Sequence, residues 1–179
     1  MDILSTGQKS LEHIQELRSL FASNRVPASG SINLTHRCNL HCVHCYLGGR
    51  DSRLLSQHKE LSTQQWLDII DQITEAGCLN LLITGGDPLL SKDFELIYRN
   101  AVSNGILVTV FTNGTLITPA ILDLFEDLPP QSIEISVYGA TPGTYEKITG
   151  VHGSFSKCIK GIQLLSDRKI RFKLKTVLL

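Results

Sequence analysis

Five short runs rich in β-branched and aromatic residues, 31–35, 80–84, 106–112, 132–137 and 170–178, are separated by stretches of helical periodicity. This alternation constrains the fold more than any other feature. Strands joined by crossovers long enough to hold a helix pair in parallel, and the connecting helices cover the sheet they form. Local signals support each helix. Ser62 and Gln65 form a capping box ahead of 62–77, where Trp66, Ile69, Ile70 and Ile73 make one apolar face and Gly77 ends the run. Residues 93–104 repeat the logic with Phe94, Ile97 and Ala101, closed by Gly105. Thr118 and Pro119 open 118–127, and Ser154 is expected to cap 154–167.

A further amphipathic helix over 10–22, with Leu11, Ile14, Leu17 and Phe21 on one side, reads as a packing helix over one end of this architecture rather than a dock for a partner peptide. Pro27 and Gly30 make a connector, so residues 1–30 precede a single core unit over 31–179. The chain has 179 residues, 42% of them hydrophobic and 19% charged, enough for one globular core. Seventeen basic and 17 acidic residues cancel, which gives no bulk attraction to nucleic acid or to an anionic membrane. No apolar run approaches a membrane span and the first 30 residues lack a basic-then-apolar leader, so a cytoplasmic protein is expected. Five cysteines, odd in number and unevenly placed, argue against a disulfide framework. The segment from Arg171 onward alternates like a strand and stops, as a chain broken off inside a fifth strand would.

Cys38, Cys42 and Cys45 share one loop after the first strand. Thiolates at this spacing can converge on one soft metal centre, and three rather than four leave a coordination position open. His36, His41 and His44 interleave with them, so a closed zinc site of three cysteines and one histidine is an alternative. Zinc loops usually bring two ligand pairs from separated segments, whereas no second CxxC lies downstream here, and a cubane iron–sulfur cluster is the favoured reading. Cys78 and Cys158 read as buried small apolar residues.

Residues 33–47, with CxxxCxxC at Cys38, Cys42 and Cys45, resemble the signature loop of the radical S-adenosylmethionine (radical SAM) enzymes. Thr84 to Pro88 resembles the GGEP motif after the second strand, Thr112 to Gly114 the polar end of the third, and Ile135 to Gly139 the end of the fourth. The tract Tyr145 to Phe155 resembles the peptide-modifying branch that carries an extra cluster domain, called SPASM. The resemblance covers about 31–179 and implies a partial parallel (β/α)6 barrel ending within its fifth strand.

It also implies a chemistry. A [4Fe-4S] cluster on the three cysteines would chelate S-adenosylmethionine, whose reductive cleavage gives a 5′-deoxyadenosyl radical for hydrogen abstraction, with the electron supplied by a flavodoxin or ferredoxin. By the same resemblance Gly85 and Gly86 let the cofactor approach the backbone, Asp87 adds charge near its amino group and Pro88 closes the motif. His44 stands where an aromatic residue usually meets the adenine, Thr112, Asn113 and Ser136 offer polar contacts, and Lys175 reaches the methionine carboxylate. The implied substrate is a peptide or protein side chain; a small metabolite in cofactor biosynthesis is the runner-up. A truncated, non-catalytic metal-binding fragment is the rival from another class.

Overall fold

The computed structural model describes residues 3–48 and 60–177, with side chains from residue 11 onward. Five strands form one sheet in the order of the sequence: β1 (Ser29–Thr35), β2 (Asn80–Gly85), β3 (Leu107–Thr112), β4 (Ser132–Ser136) and β5 (Phe172–Lys175). Every neighbouring pair is parallel. The expected α/β, partial-barrel architecture is therefore what the chain forms.

Helix α1 (Ile3–Ser23) precedes the sheet; α2 (Thr63–Glu75), α3 (Phe94–Ser103) and α4 (Pro119–Asp127) are the crossovers between strands. Two helices, α5 (Pro142–Thr149) and α6 (Ser154–Asp167), share the connection from β4 to β5. The capping box at Ser62 and Gln65 is present in both directions, and Thr118 accepts from the amide of Ile121 with Pro119 at the first turn.

Burial alternates along the strands, because successive side chains point to opposite faces. Leu81, Ile83, Val108, Val110, Ile133 and Ile135 are buried on the helix side. They meet Phe94, Ile97, Tyr98 and Ala101 of α3 and Leu122 and Phe125 of α4 in one core. Each Leu, Ile, Val or Phe among them contributes about 1.5–3 kcal/mol through burial. Tyr98 stacks at 5.7 Å on Phe94 and meets Phe125 edge-on at 5.4 Å, while its hydroxyl donates to the carbonyl of Leu128 at 2.6 Å. Thr84, Phe111, Glu134 and Ser136 occupy the opposite, partly open face.

Four local expectations need correction. The stripe on α1 does not enter the core: residues 11–20 are all exposed, Leu11 at 62%. Helical periodicity specifies that a helix has an apolar side, not what covers it. Ser154 is not a cap; Gly153 holds that position, and the Ser154 hydroxyl is buried against the Val151 carbonyl and Thr149. Helix α5 was not anticipated, although Thr141 and Pro142 repeat the cap-and-proline signal of Thr118 and Pro119. Strand β5 is four residues long; of the apolar residues from 170 onward, Val177 lies beyond it and Leu178 outside the described residues.

Candidate functional site

The carboxyl ends of β1 to β4 lie side by side, so the loops leaving them meet at one end of the sheet. The cysteine loop leaves β1 there. It is folded by short turns, the amide of Cys45 donating to the carbonyl of Cys42 at 3.2 Å and that of Gly48 to Cys45 at 3.1 Å. Cys38, Cys42 and Cys45 are all half-buried.

All three lie within electrostatic reach of Tyr138, just beyond β4. Burial first, then the charges of Cys42, Cys45 and Cys38, push the Tyr138 phenol above its ordinary range against a hydrogen bond with Ser136. Cys38 Sγ also accepts from the amide of Leu40 at 3.4 Å and lies 3.9 Å from Asn113 Nδ2. Among the described residues no three His, Cys, Asp or Glu side chains are gathered into a group that would hold a single ion. A cluster asks for a different arrangement, one thiolate for each of three irons, and three thiols on one loop with amide donors at the sulfur fit that requirement.

Gly85 and Gly86 are in the expected place for an unexpected reason. A Cβ on Gly85 would lie 2.3 Å from the carbonyl oxygen of Thr35, and one on Gly86 2.1 Å from that of Arg37. The space a side chain would fill is thus occupied by the chain leaving β1, not open to a ligand. Gly85 also has φ +147, which favours glycine. The Gly86 amide donates to Thr35 at 2.7 Å and the Asp87 amide to Arg37 at 2.9 Å, so the pair of glycines welds the end of β2 to the root of the cysteine loop.

Asp87 turns inward and is fully buried, in place of the expected charge at a ligand amino group. One carboxylate oxygen accepts from the Leu89 amide at 3.0 Å; the other accepts from the Thr112 hydroxyl and the Asn113 amide, both at 2.8 Å. Burial nevertheless outweighs these donors and pushes its carboxyl up to about 6. Pro88 is buried at the start of a 3-10 turn, Pro88–Leu90. Sequence reasoning missed this role because motif position does not reveal which way a short acidic side chain points.

Thr112 and Asn113 are committed in the same network. Asn113 Nδ2 donates to Asn39 Oδ1 at 2.9 Å, Asn113 Oδ1 accepts from the Thr115 amide and hydroxyl, and Asn39 Nδ2 donates to Thr115 at 2.8 Å. Asn39 and Thr115 were not anticipated, and Asn39 lies inside the signature loop itself. Tyr46 is a further addition: its hydroxyl is 3.2 Å from both Asn33 Oδ1 and the carbonyl of Gly85.

His44 packs its ring edge-on against Tyr138 at 4.5 Å, and its buried Nδ1 has no hydrogen-bond partner. Ser136 ends β4 on the open sheet face, paired in register with Lys175. Lys175 sits 3.7 Å from the Phe111 ring centroid and forms an ion pair with Glu134, which places it on that face but engages its charge. Cys78 and Cys158 are buried in the core, and burial pushes both thiols up. Beside the site, Arg37 pairs with Glu60 at 3.3 Å, and Thr35 donates to the same carboxylate. Among the described residues, no helix is long and apolar enough to cross a membrane.

The comparisons with known proteins agree with this geometry. The model of the Radical SAM superfamily matches residues 32–179. The chain is 32% identical to an AdoMet-dependent heme synthase of Methanosarcina barkeri, over 88% of this chain and 44% of that protein. It is 31% identical to a PqqA peptide cyclase of Ruegeria pomeroyi, over 85% of this chain and 40% of that protein. Among solved structures, Streptococcus suis SuiB bound to the precursor peptide SuiA matches with a TM-score of 0.72 at 18% identity, over 93% of this chain and 37% of that one. The chain spans less than half the length of these relatives. Its motifs, its parallel sheet and the family match agree, and the chain belongs to the radical SAM superfamily.

Proposed function

We propose that Cys38, Cys42 and Cys45 hold a [4Fe-4S] cluster, and that the chain is the core of an enzyme using it with S-adenosylmethionine to act on a peptide or protein side chain. The observation that carries the reading is the placement of three half-buried cysteines on the one loop leaving β1, each within electrostatic reach of Tyr138, at the strand ends where Gly85, Asn113 and Ser136 also lie. When bound, the cluster and S-adenosylmethionine supply reductive carbon–sulfur cleavage and hydrogen abstraction. The chain's own residues do the holding. The Leu40 amide and Asn113 side chain support the Cys38 sulfur, and Asp87 and Asn39 fix Asn113. The backbone about Gly85, the Ser136 hydroxyl and the rings of His44 and Tyr138 would hold S-adenosylmethionine. Lys175, released from Glu134, has a free ammonium for a carboxylate.

The PqqA peptide cyclase favours a peptide substrate; the AdoMet-dependent heme synthase, similar over a comparable length, favours a small-molecule substrate as the second reading. Both need an external one-electron donor, such as a flavodoxin or ferredoxin. The test is anaerobic reconstitution with iron and sulfide, followed by a search for 5′-deoxyadenosine after reduction with S-adenosylmethionine present. Ala at Cys38, Cys42 or Cys45 should abolish the cluster's visible absorption, while Cys78→Ala should leave it. Stoichiometric zinc in the anaerobically purified protein, with no cluster after reconstitution, would overturn the assignment.

A further inference from the structure

The connection between α5 and α6 reaches back to the cysteine loop. The amide of His41 donates to the carbonyl of Thr149 at 2.8 Å and the amide of Val43 to that of Ile148 at 3.0 Å. These two bonds flank Cys42 on either side. Gly150 follows in a left-handed conformation, φ +68, and a Cβ there would lie 3.0 Å from the carbonyl oxygen of His41 and 3.2 Å from its Cβ. The loop therefore rests on the bare face of Gly150.

The connection is itself held firmly. The Gly153 amide donates to Glu146 Oε1 at 2.9 Å, and Ser154 Oγ donates to the Val151 carbonyl at 2.7 Å. Thr149 and Ser154 are fully enclosed with their hydroxyls 2.8 Å apart. Tyr145, 0% exposed, packs between Tyr138 and Phe155 and locks α5 to the core. A rigid turn that grips both sides of one ligand, while Asn113 and Leu40 attend to another, is a positioning device rather than a loose contact.

We propose that Ile148, Thr149 and Gly150 clamp the cysteine loop and set the position of Cys42, so that the α5–α6 connection governs how tightly the cluster is held and its electronic signature. This rests on Cys38, Cys42 and Cys45 being the cluster ligands. Gly150 is a positioning residue; it touches neither the cluster nor the substrate.

Gly153 supplies the control, because it is also left-handed, φ +76, but a Cβ there would meet nothing within 4 Å. Gly153→Ala thus carries the backbone strain without the tight contact on His41. Gly150→Asn carries the tight contact with less strain, since Asn tolerates left-handed backbone better than most residues. In the metal-free chain, hydrogen exchange at the His41 and Val43 amides should be at least about tenfold faster in Gly150→Ala and Gly150→Asn than in wild type. In Gly153→Ala it should be unchanged. After reconstitution, iron should leave to a chelator about tenfold faster in the Gly150 variants, and the electron paramagnetic resonance spectrum of the reduced cluster should shift. If Gly150→Ala fails to fold, Gly150→Asn decides. Wild-type exchange at both amides in a folded Gly150 variant, or cluster loss no faster than in Gly153→Ala, would overturn the proposal. A wild-type chain that takes up no cluster would instead remove the cluster assignment, and the exchange rates would still judge the clamp.

Discussion

Gly86→Ala separates two explanations of the paired glycines. The added methyl group would enter backbone, not solvent: 2.1 Å from the Arg37 carbonyl oxygen, 2.5 Å from its carbon and 2.8 Å from the His36 carbonyl oxygen. None of these atoms is the end of a flexible side chain, so the loop after β1 has to move. Overpacking of this kind costs about 1–3 kcal/mol. The movement also strains the hydrogen bonds from Gly86 to Thr35 and from Asp87 to Arg37, each contributing about 0.5–1.5 kcal/mol. The expected loss is about 2–6 kcal/mol, a large share of the roughly 5–15 kcal/mol that holds a domain folded. Urea unfolding of the metal-free protein, followed by circular dichroism, should show a midpoint far below wild type. Gly105→Ala, at φ +82 with open space around the Cβ, should show only the smaller cost of strain. An unchanged midpoint for Gly86→Ala, with S-adenosylmethionine binding alone weakened, would refute the packing explanation and restore ligand approach as the reason for the glycine.

Two further outcomes follow from the network behind the loop. Asp87 has its carboxyl raised from 3.8 to about 6, so its contribution to stability is complete below pH 3.8 and is lost as pH rises through about 6, a change on the order of 3 kcal/mol. Between pH 4 and 8 the urea midpoint of wild type should fall relative to that of Asp87→Asn, and parallel profiles would show that the carboxyl is not perturbed. Asn113→Ala removes the links to Asn39 and Thr115 and the donor near Cys38 Sγ; it should lower apo stability by about 1–3 kcal/mol and speed chelation of iron from the reconstituted protein, whereas equal stability and equal chelation would mean that the network is idle.

The strand-and-helix alternation was legible because burial on a parallel sheet imposes it locally: each run from β1 to β4 and each crossover from α2 to α4 has its own periodicity and its own end signals. That Cys38, Cys42 and Cys45 share the loop after β1 was legible for a similar reason, since spacing within one loop is a local property. Helix α5 had a usable signal in Thr141 and Pro142, but eight residues carry too little periodicity to stand out against a turn-like sequence.

What the sequence alone determined was therefore the order of elements, their parallel arrangement, and the end of the sheet at which the motifs meet. Only the tertiary structure decided which way the motif side chains turn. Asp87 faces Thr112 and Asn113, the glycines face the backbone of Thr35 and Arg37, and Lys175 is drawn to Glu134 and Phe111. Each orientation depends on partners at least 25 positions away, and no local propensity encodes what distant strands will bring alongside. The grip of Ile148 and Thr149 on either side of Cys42 is the same kind of fact: it joins residues more than 100 positions apart, and it exists only once β4, α5 and the cysteine loop have been folded together.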